Sequence, residues 1–110
     1  MEMSVTEKND FSIIKLKGEF DLHDVDDFEA SLRELLKKFK KFVIDFSNLE
    51  YIDSSGIGQF IRLQTDLAND DGVLYIFGLN DFISRIISMA NLDTFFNIKS
   101  KAEIDDILKS

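Results

Sequence analysis

The sequence contains no cysteine, no proline and no tryptophan, and it has only one histidine. Without cysteine, neither a disulfide nor a thiolate metal site can form. No apolar run approaches the roughly 20 residues of a membrane-spanning helix. The first residues also lack the basic-then-apolar pattern of a signal peptide. These absences predict a cytoplasmic protein.

Positive charge is scarce as well, since 13 lysines and arginines face 21 acidic residues and the formal net charge is -8. Such a chain is poorly suited to bind nucleic acid or an anionic membrane surface directly. A partner with a basic docking face is easier to accommodate. At 110 residues and 45% hydrophobic content, we expect one domain, residues 1–110, with a buried core.

The motifs of several enzyme classes are missing too. A Ser-His-Asp site would have to combine His23 with Ser54 or Ser55, but no G-x-S-x-G elbow is present. Asp21, His23 and Asp24 contain metal-ligand chemistry, yet acids and a histidine are ordinary at a helix start. Neither a Walker loop nor a G-x-G-x-x-G segment occurs. We therefore predict no catalytic residues, no cofactor and no metal.

What the sequence does contain is one stretch that organises the rest. Val43–Phe46 has the apolar run of a buried strand, and Ser47–Asn48 is typical of a turn. Asp53-Ser54-Ser55-Gly56-Ile57-Gly58 follows, after which apolar residues recur with the period of a helix. The pattern places two adjacent serines at the N-terminus of a helix, just after a strand and a turn.

Two interpretations of these serines remain open. In the first, Asp53 or Ser54 is the N-cap of the helix and the glycines are required by packing. In the second, a hydroxyl is presented to a partner, because glycine is used where another backbone must come close. Two glycines at the start of a helix favour more than capping, since each costs roughly 1 kcal/mol relative to alanine.

The remaining elements follow from period and turn chemistry. Asn9–Asp10 separates two strands and predicts a hairpin, and Ser100 with Glu103 has capping-box spacing. The predicted order is strands Met3–Lys8 and Phe11–Lys17, a helix from about Asp24 to Lys40, the central unit, a strand Val73–Phe77, a helix capped by Asn80 or Asp81, a short strand or extended segment Phe95–Ile98, and a final helix from Ser100.

This alternation predicts an α/β fold, with a mixed sheet of four to five strands, about four helices and an N-terminal hairpin. Sites in such sheets lie beyond the carboxyl ends of the strands. Two loops, Gly18–Asp24 and Asp53–Gly58, fall there. Whether they are neighbours depends on strand order, which the sequence does not determine.

The segments Val43–Leu49 and Tyr51–Gly58 resemble the signature of STAS domains, and more narrowly that of bacterial anti-sigma factor antagonists. Gly18-Glu19-Phe20-Asp21 is similar to the family's G-E-L-D, with Phe20 in place of the commoner leucine. The resemblance covers nearly the whole chain and implies a single-domain STAS fold. It also implies that Ser55, the second serine of the motif, is phosphorylated by a serine-kinase anti-sigma factor.

Further expectations come from the same resemblance. A PP2C-type serine phosphatase would remove the phosphate, and the unphosphorylated chain would bind the kinase and free a sigma factor. The alternatives are a STAS scaffold module of a stress-signalling or transporter-associated complex, and a small hydrolase using Ser55. We expect Ser55 to be accessible and Ser54 to turn towards the loop. The expected partner-binding residues are Asp21, His23, Asp53, Ser54, Ser55, Gly56, Ile57 and Gly58.

Overall fold

A mixed five-stranded sheet, in the order β1-β2-β3-β4-β5, forms the centre of the computed structural model, which describes residues 1–109. Only the β1–β2 pair is antiparallel, while β2 to β5 run parallel to one another. The elements are β1 (Glu2–Lys8), β2 (Phe11–Phe20), α1 (Val25–Leu36), β3 (Lys41–Ile52), α2 (Ser54–Ala68), β4 (Val73–Phe77), α3 (Asp81–Met89), β5 (Asn97–Ile98) and α4 (Lys101–Lys109).

The predicted α/β class, the hairpin and the central strand–serine–helix unit are confirmed. Asn9 and Asp10 both adopt positive φ, at 50° and 70°, as a two-residue hairpin turn of the type that favours asparagine and aspartate requires. Ser100 and Glu103 form the predicted capping box, since each side chain accepts a hydrogen bond from the other residue's backbone N–H. None of the helices within residues 1–109 is long and apolar enough to cross a membrane.

The helices cover the sheet unequally. Side chains of α1, α2 and α3 pack with β2, β3 and β4 in the larger core on one face, whereas α4 covers a smaller apolar cluster on the other. In the larger core Phe20, Phe28 and Phe60 meet edge to face, with ring centroids 4.9 to 5.7 Å apart. Because Phe20 ends β2 and Phe60 lies on α2, this contact fixes α2 against the end of β2.

The predicted turn at Ser47–Asn48 is wrong, because β3 continues through it to Ile52. The turn-forming residues occupy an irregularity instead, where the β2–β3 register shifts. The Asp45 carboxylate accepts a hydrogen bond from the Ser47 N–H at 2.8 Å. Side-chain bonding to the local backbone, which favours turns, here stabilises a bulge within a strand.

Three other predicted ends were misplaced. Strand β2 runs to Phe20 and not only to Lys17, so the first three residues of the expected Gly18–Asp24 loop belong to the strand. Helix α1 stops at Leu36 instead of Lys40. The N–H groups of Lys38 and Phe39 both bond to the Leu35 carbonyl in a closing turn, and the Phe39 side chain packs on the core beside Phe42, with ring centroids 6.4 Å apart. The predicted extended segment Phe95–Ile98 is a strand only at Asn97–Ile98. The N–H groups of Phe95 and Phe96 bond to the Leu92 carbonyl in a turn.

Candidate functional site

The two loops singled out in the sequence are neighbours. Strands β2 and β3 are adjacent and parallel, with Phe20 opposite Ile52. Directly beyond this pair, the Asp53 N–H donates to the Phe20 carbonyl at 3.1 Å. The strand order therefore brings Gly18–Asp24 and Asp53–Gly58 together at the carboxyl edge of the sheet, where a site was expected.

Asp53 is the N-cap of α2. Its backbone is extended, with φ -100° and ψ -177°, and its carboxylate accepts a hydrogen bond from the Gly56 N–H at 3.1 Å. Its carbonyl accepts the first intrahelical bond, from the Ile57 N–H at 3.0 Å. Since Asp53 caps the helix, Ser54 is free of that task, and the two serines are the first residues of the helix itself.

Neither serine hydroxyl takes part in a hydrogen bond within residues 1–109. Ser54 is exposed, and Ser55 is half-buried. Ser55 is therefore accessible in part, as expected, but Ser54, which was expected to turn towards the loop, is the more exposed of the two. Successive side chains of a helix point about 100° apart. The exposed Ser54 and the half-buried Ser55 therefore face different surroundings.

The two glycines of the motif meet different surroundings. Gly56 is buried, and an added Cβ would lie 2.7 Å from Ile52 Cγ1 and 3.0 Å from Phe20 Cδ1. A Cβ added at Gly58 would have nothing within 4 Å. Packing thus accounts for Gly56 and leaves Gly58 without an internal explanation. Ile57, between them, is half-buried and packs on the larger core.

The Gly18–Asp24 loop ends in a 3-10 turn, Leu22–Asp24, which is held by a capping box. The Asp21 carboxylate accepts from the His23 N–H at 2.9 Å, and the Asp24 carboxylate accepts from the Asp21 N–H at 3.1 Å. Asp24 also pairs with the Met1 amine at 3.2 Å. The backbone hydrogen bond from Asp21, helped by the amine, lowers the pKa of Asp24.

The site is acidic. The two loops carry the carboxylates of Glu19, Asp21, Asp24 and Asp53 and contain no lysine or arginine. The His23 residue is exposed, and it meets the other loop residues through its backbone N–H. No group of three histidines or acids within residues 1–109 is arranged to hold a metal ion. The arrangement suits docking of a basic surface over two free hydroxyls.

An exposed aromatic pair was missed by the sequence analysis. Tyr51 and Phe82 stack with ring centroids 5.6 Å apart and are 38% and 48% exposed. Asn80 holds the start of α3 against β3, since its side-chain amide donates to the carbonyls of Leu49 and Glu50 at 3.2 and 3.1 Å. The stacking of Tyr51 on Phe82 depends on the placement of α3 beside the end of β3, so no local sequence pattern could have revealed it.

A family model described as the STAS domain matches residues 2–104. The Anti-sigma-B factor antagonist of Staphylococcus aureus is 26% identical over 106 residues, which are 96% of this chain and 98% of that protein.

Solved structures share the fold. A crystal structure of a Thermotoga maritima protein superposes with a TM-score of 0.89 at 20% identity, covering 98% of this chain and 95% of the other. SpoIIAA, an anti-sigma factor antagonist and Bacillus cell fate determinant, gives TM-scores of 0.82 unphosphorylated and 0.75 phosphorylated, both at 18% identity. These alignments cover 98% and 96% of this chain, and 96% and 97% of the SpoIIAA chains.

Proposed function

Because the chain belongs to the STAS domain family, we propose that it is an anti-sigma factor antagonist that works by switching partners. Unphosphorylated, it binds a serine-kinase anti-sigma factor in the cytoplasm and so frees a sigma factor. The kinase then transfers a phosphoryl group from ATP to Ser55, and the phosphorylated chain is released. A PP2C-type serine phosphatase returns it to the binding form.

The observation that carries this proposal is the pair of unbonded hydroxyls at the start of α2. Asp53 already caps the helix, so Ser54 and Ser55 have no structural duty in the first turn. The neighbouring Asp21–Asp24 turn is fixed by its capping box and offers a second rigid contact for the same partner. The names of the staphylococcal relative and of SpoIIAA support the assignment to anti-sigma factor antagonists.

The local electrostatics supply a mechanism for release. Phosphoserine adds about 1.5 to 2 negative charges at neutral pH. The unpaired N–H groups and the dipole at the start of α2 accommodate such an anion, so the fold survives. Release therefore comes from the centre of the interface and not from the overall charge of the loops. A phosphate there adds bulk, a desolvation cost and repulsion from any partner acid that faces the hydroxyl, and these effects weaken binding.

No catalytic group is required of this chain in such an exchange. The kinase binds ATP and activates the hydroxyl, while Asp53 orients the first turn through its bond to the Gly56 N–H. The protein is then the substrate of one enzyme, the competitor of a sigma factor, and the substrate of a second enzyme that resets it.

The test begins with the kinase that co-purifies with the chain. This kinase is then expressed and purified on its own, and its phosphorylation of the chain is measured. With ATP, intact mass should show a single phosphate on the wild type and on Ser54→Ala, and none on Ser55→Ala. Fragment masses should place the phosphate on Ser55. A partner that binds tightly but transfers no phosphate would instead support the scaffold module. Release of a small-molecule product that depends on Ser55 would support the hydrolase.

A further inference from the structure

Gly58 lies in the middle of the outward face of α2. The buried face of this helix is formed by Gly56, Phe60, Leu63 and Leu67, and at about 100° per residue Gly58 points nearly opposite to their average direction. Ser54, one turn earlier, lies on the same side and is exposed. The helix surface is thus lowest beside the exposed Ser54, the neighbour in sequence of Ser55, which we propose to be phosphorylated.

Within residues 1–109, neither packing nor backbone geometry requires a glycine there. An added Cβ at Gly58 would touch nothing within 4 Å, whereas at Gly56 it would collide with Ile52 and Phe20. The backbone at Gly58 has ordinary helical geometry, and positive φ is confined among the glycines to Gly18 and Gly78 within residues 1–109. Glycine within a helix lowers its stability relative to alanine, and at Gly58 no contact within residues 1–109 compensates for this loss.

We propose that Gly58 is a contact residue of the kinase interface, at which the main chain of the kinase passes directly over the first two turns of α2. This inference rests on the proposed function. Glycine is used where a neighbouring group must come close to the backbone, and neither packing nor backbone geometry within residues 1–109 gives another reason for Gly58. It would bring the kinase backbone within reach of the Ser55 hydroxyl, three residues before Gly58, and of the exposed Ser54 hydroxyl, four residues before it.

The low surface is short, which limits where the kinase can approach. One further turn along the helix, about 5.4 Å away, the long side chain of Arg62 stands exposed and bonds to Glu29 of α1 at 3.4 Å. On the other side, Ile61 is half-buried against the larger core. A side chain at Gly58 would extend this higher surface up to the serines and hold the kinase backbone away from them.

The experiment compares wild type with Gly58→Ala, Gly58→Gln and Thr65→Ala, using the purified co-purifying kinase. Thr65 is exposed on the same outward face, about two turns after Gly58. Thr65→Ala therefore also raises helix propensity but leaves the start of the helix unchanged. Melting curves, kinase affinity without ATP, and the rate of Ser55 phosphorylation are measured for each chain.

We expect both Gly58 variants to melt a few degrees higher than wild type, since they gain helix propensity and meet no clash. Kinase affinity should fall about tenfold for Gly58→Ala and further for Gly58→Gln, in the order of side-chain size. Thr65→Ala should bind as wild type does. A higher melting temperature together with a lower kinase affinity would identify Gly58 as an interface residue. A purely structural role of Gly58 would not give this combination.

Wild-type affinity and phosphorylation rate in both Gly58 variants would overturn the inference while leaving Ser55 as the switch. Lowered melting temperatures in both would also overturn it, because the glycine would then have an internal structural role. If the wild type itself receives no phosphate on Ser55, the proposed function fails, and the role of Gly58 fails with it.

Discussion

At the residue scale, Ser12 is a polar group without compensation. It is fully buried in β2, and its hydroxyl has no hydrogen-bond partner among residues 1–109. Replacing it with alanine removes a desolvated hydroxyl and little volume, so Ser12→Ala should raise the free energy of unfolding by about 1 kcal/mol. Urea unfolding measures this change, with Ser4→Ala on the exposed face of β1 as the control. A destabilised Ser12→Ala protein would show that the hydroxyl has a partner in solution.

The motif glycines show what residue-level sequence reasoning resolves and what it does not. From spacing alone, Gly56 and Gly58 had the same explanation, which was either packing or the close approach of a partner. The structure separates them, because only Gly56 faces Ile52 and Phe20. That distinction depends on which side of α2 meets the end of β2. It is a property of the tertiary arrangement, and the string D-S-S-G-I-G does not contain it.

At the element scale, the start of α2 depends on its cap. The Asp53 carboxylate bonds to the Gly56 N–H at 3.1 Å, and losing such a cap costs about 1 kcal/mol. Asp53→Ala should lower the free energy of unfolding by that amount and slow phosphorylation of Ser55 as the first turn frays. Asp53→Asn retains a capping oxygen and should preserve stability. Equal stability of Asp53→Ala and wild type would show that the cap contributes nothing.

The turn before α1 should give the protein a measurable acid sensitivity. Bonding from the Asp21 N–H lowers the pKa of Asp24 below its ordinary value of 3.8. Because the lowered pKa belongs to the folded state, the stabilisation is complete above the ordinary value and is lost as the pH falls below it. Stability should therefore begin to decline as the pH falls through about 4 and should continue to decline below it, and it should decline less steeply in Asp24→Asn.

Thermal unfolding across this pH range checks the contribution of Asp24. The matched control is Asp26→Asn on the exposed first turn of α1, which should keep the wild-type slope. Identical slopes for wild type and Asp24→Asn would contradict the role assigned to the capping box.

The elements themselves were largely predictable, and their ends and neighbours were not. Period and turn chemistry identified the hairpin, the serine-bearing helix and the capping box of α4. The continuation of β3 through Ser47 and Asn48 was not predictable, because their local turn preference is satisfied by a bulge that pairing with β2 imposes. The adjacency of the two site loops also depends on strand order, which is set by packing across the whole sheet.

At the scale of the whole molecule, the net charge of -8 and the acidic loops predict electrostatic steering of a basic partner. Raising the salt concentration from about 50 to 500 mM should slow association with the kinase much more than it speeds dissociation, since long-range attraction is screened. Stopped-flow binding at several ionic strengths measures both rates. An association rate that is independent of salt would contradict an acidic docking face.

Partner switching through Ser55 is most directly tested by kinase binding with and without ATP, for wild type, Ser55→Ala, Ser55→Asp and Ser54→Ala, alongside a melting curve for each. Ser55→Ala should bind like wild type without ATP and stay bound when ATP is added, whereas ATP should release wild type and Ser54→Ala. Ser55→Asp should fold and bind about tenfold more weakly, equivalent to about 1.4 kcal/mol. Equal release of wild type and Ser55→Ala by ATP would show that Ser55 is not the switch.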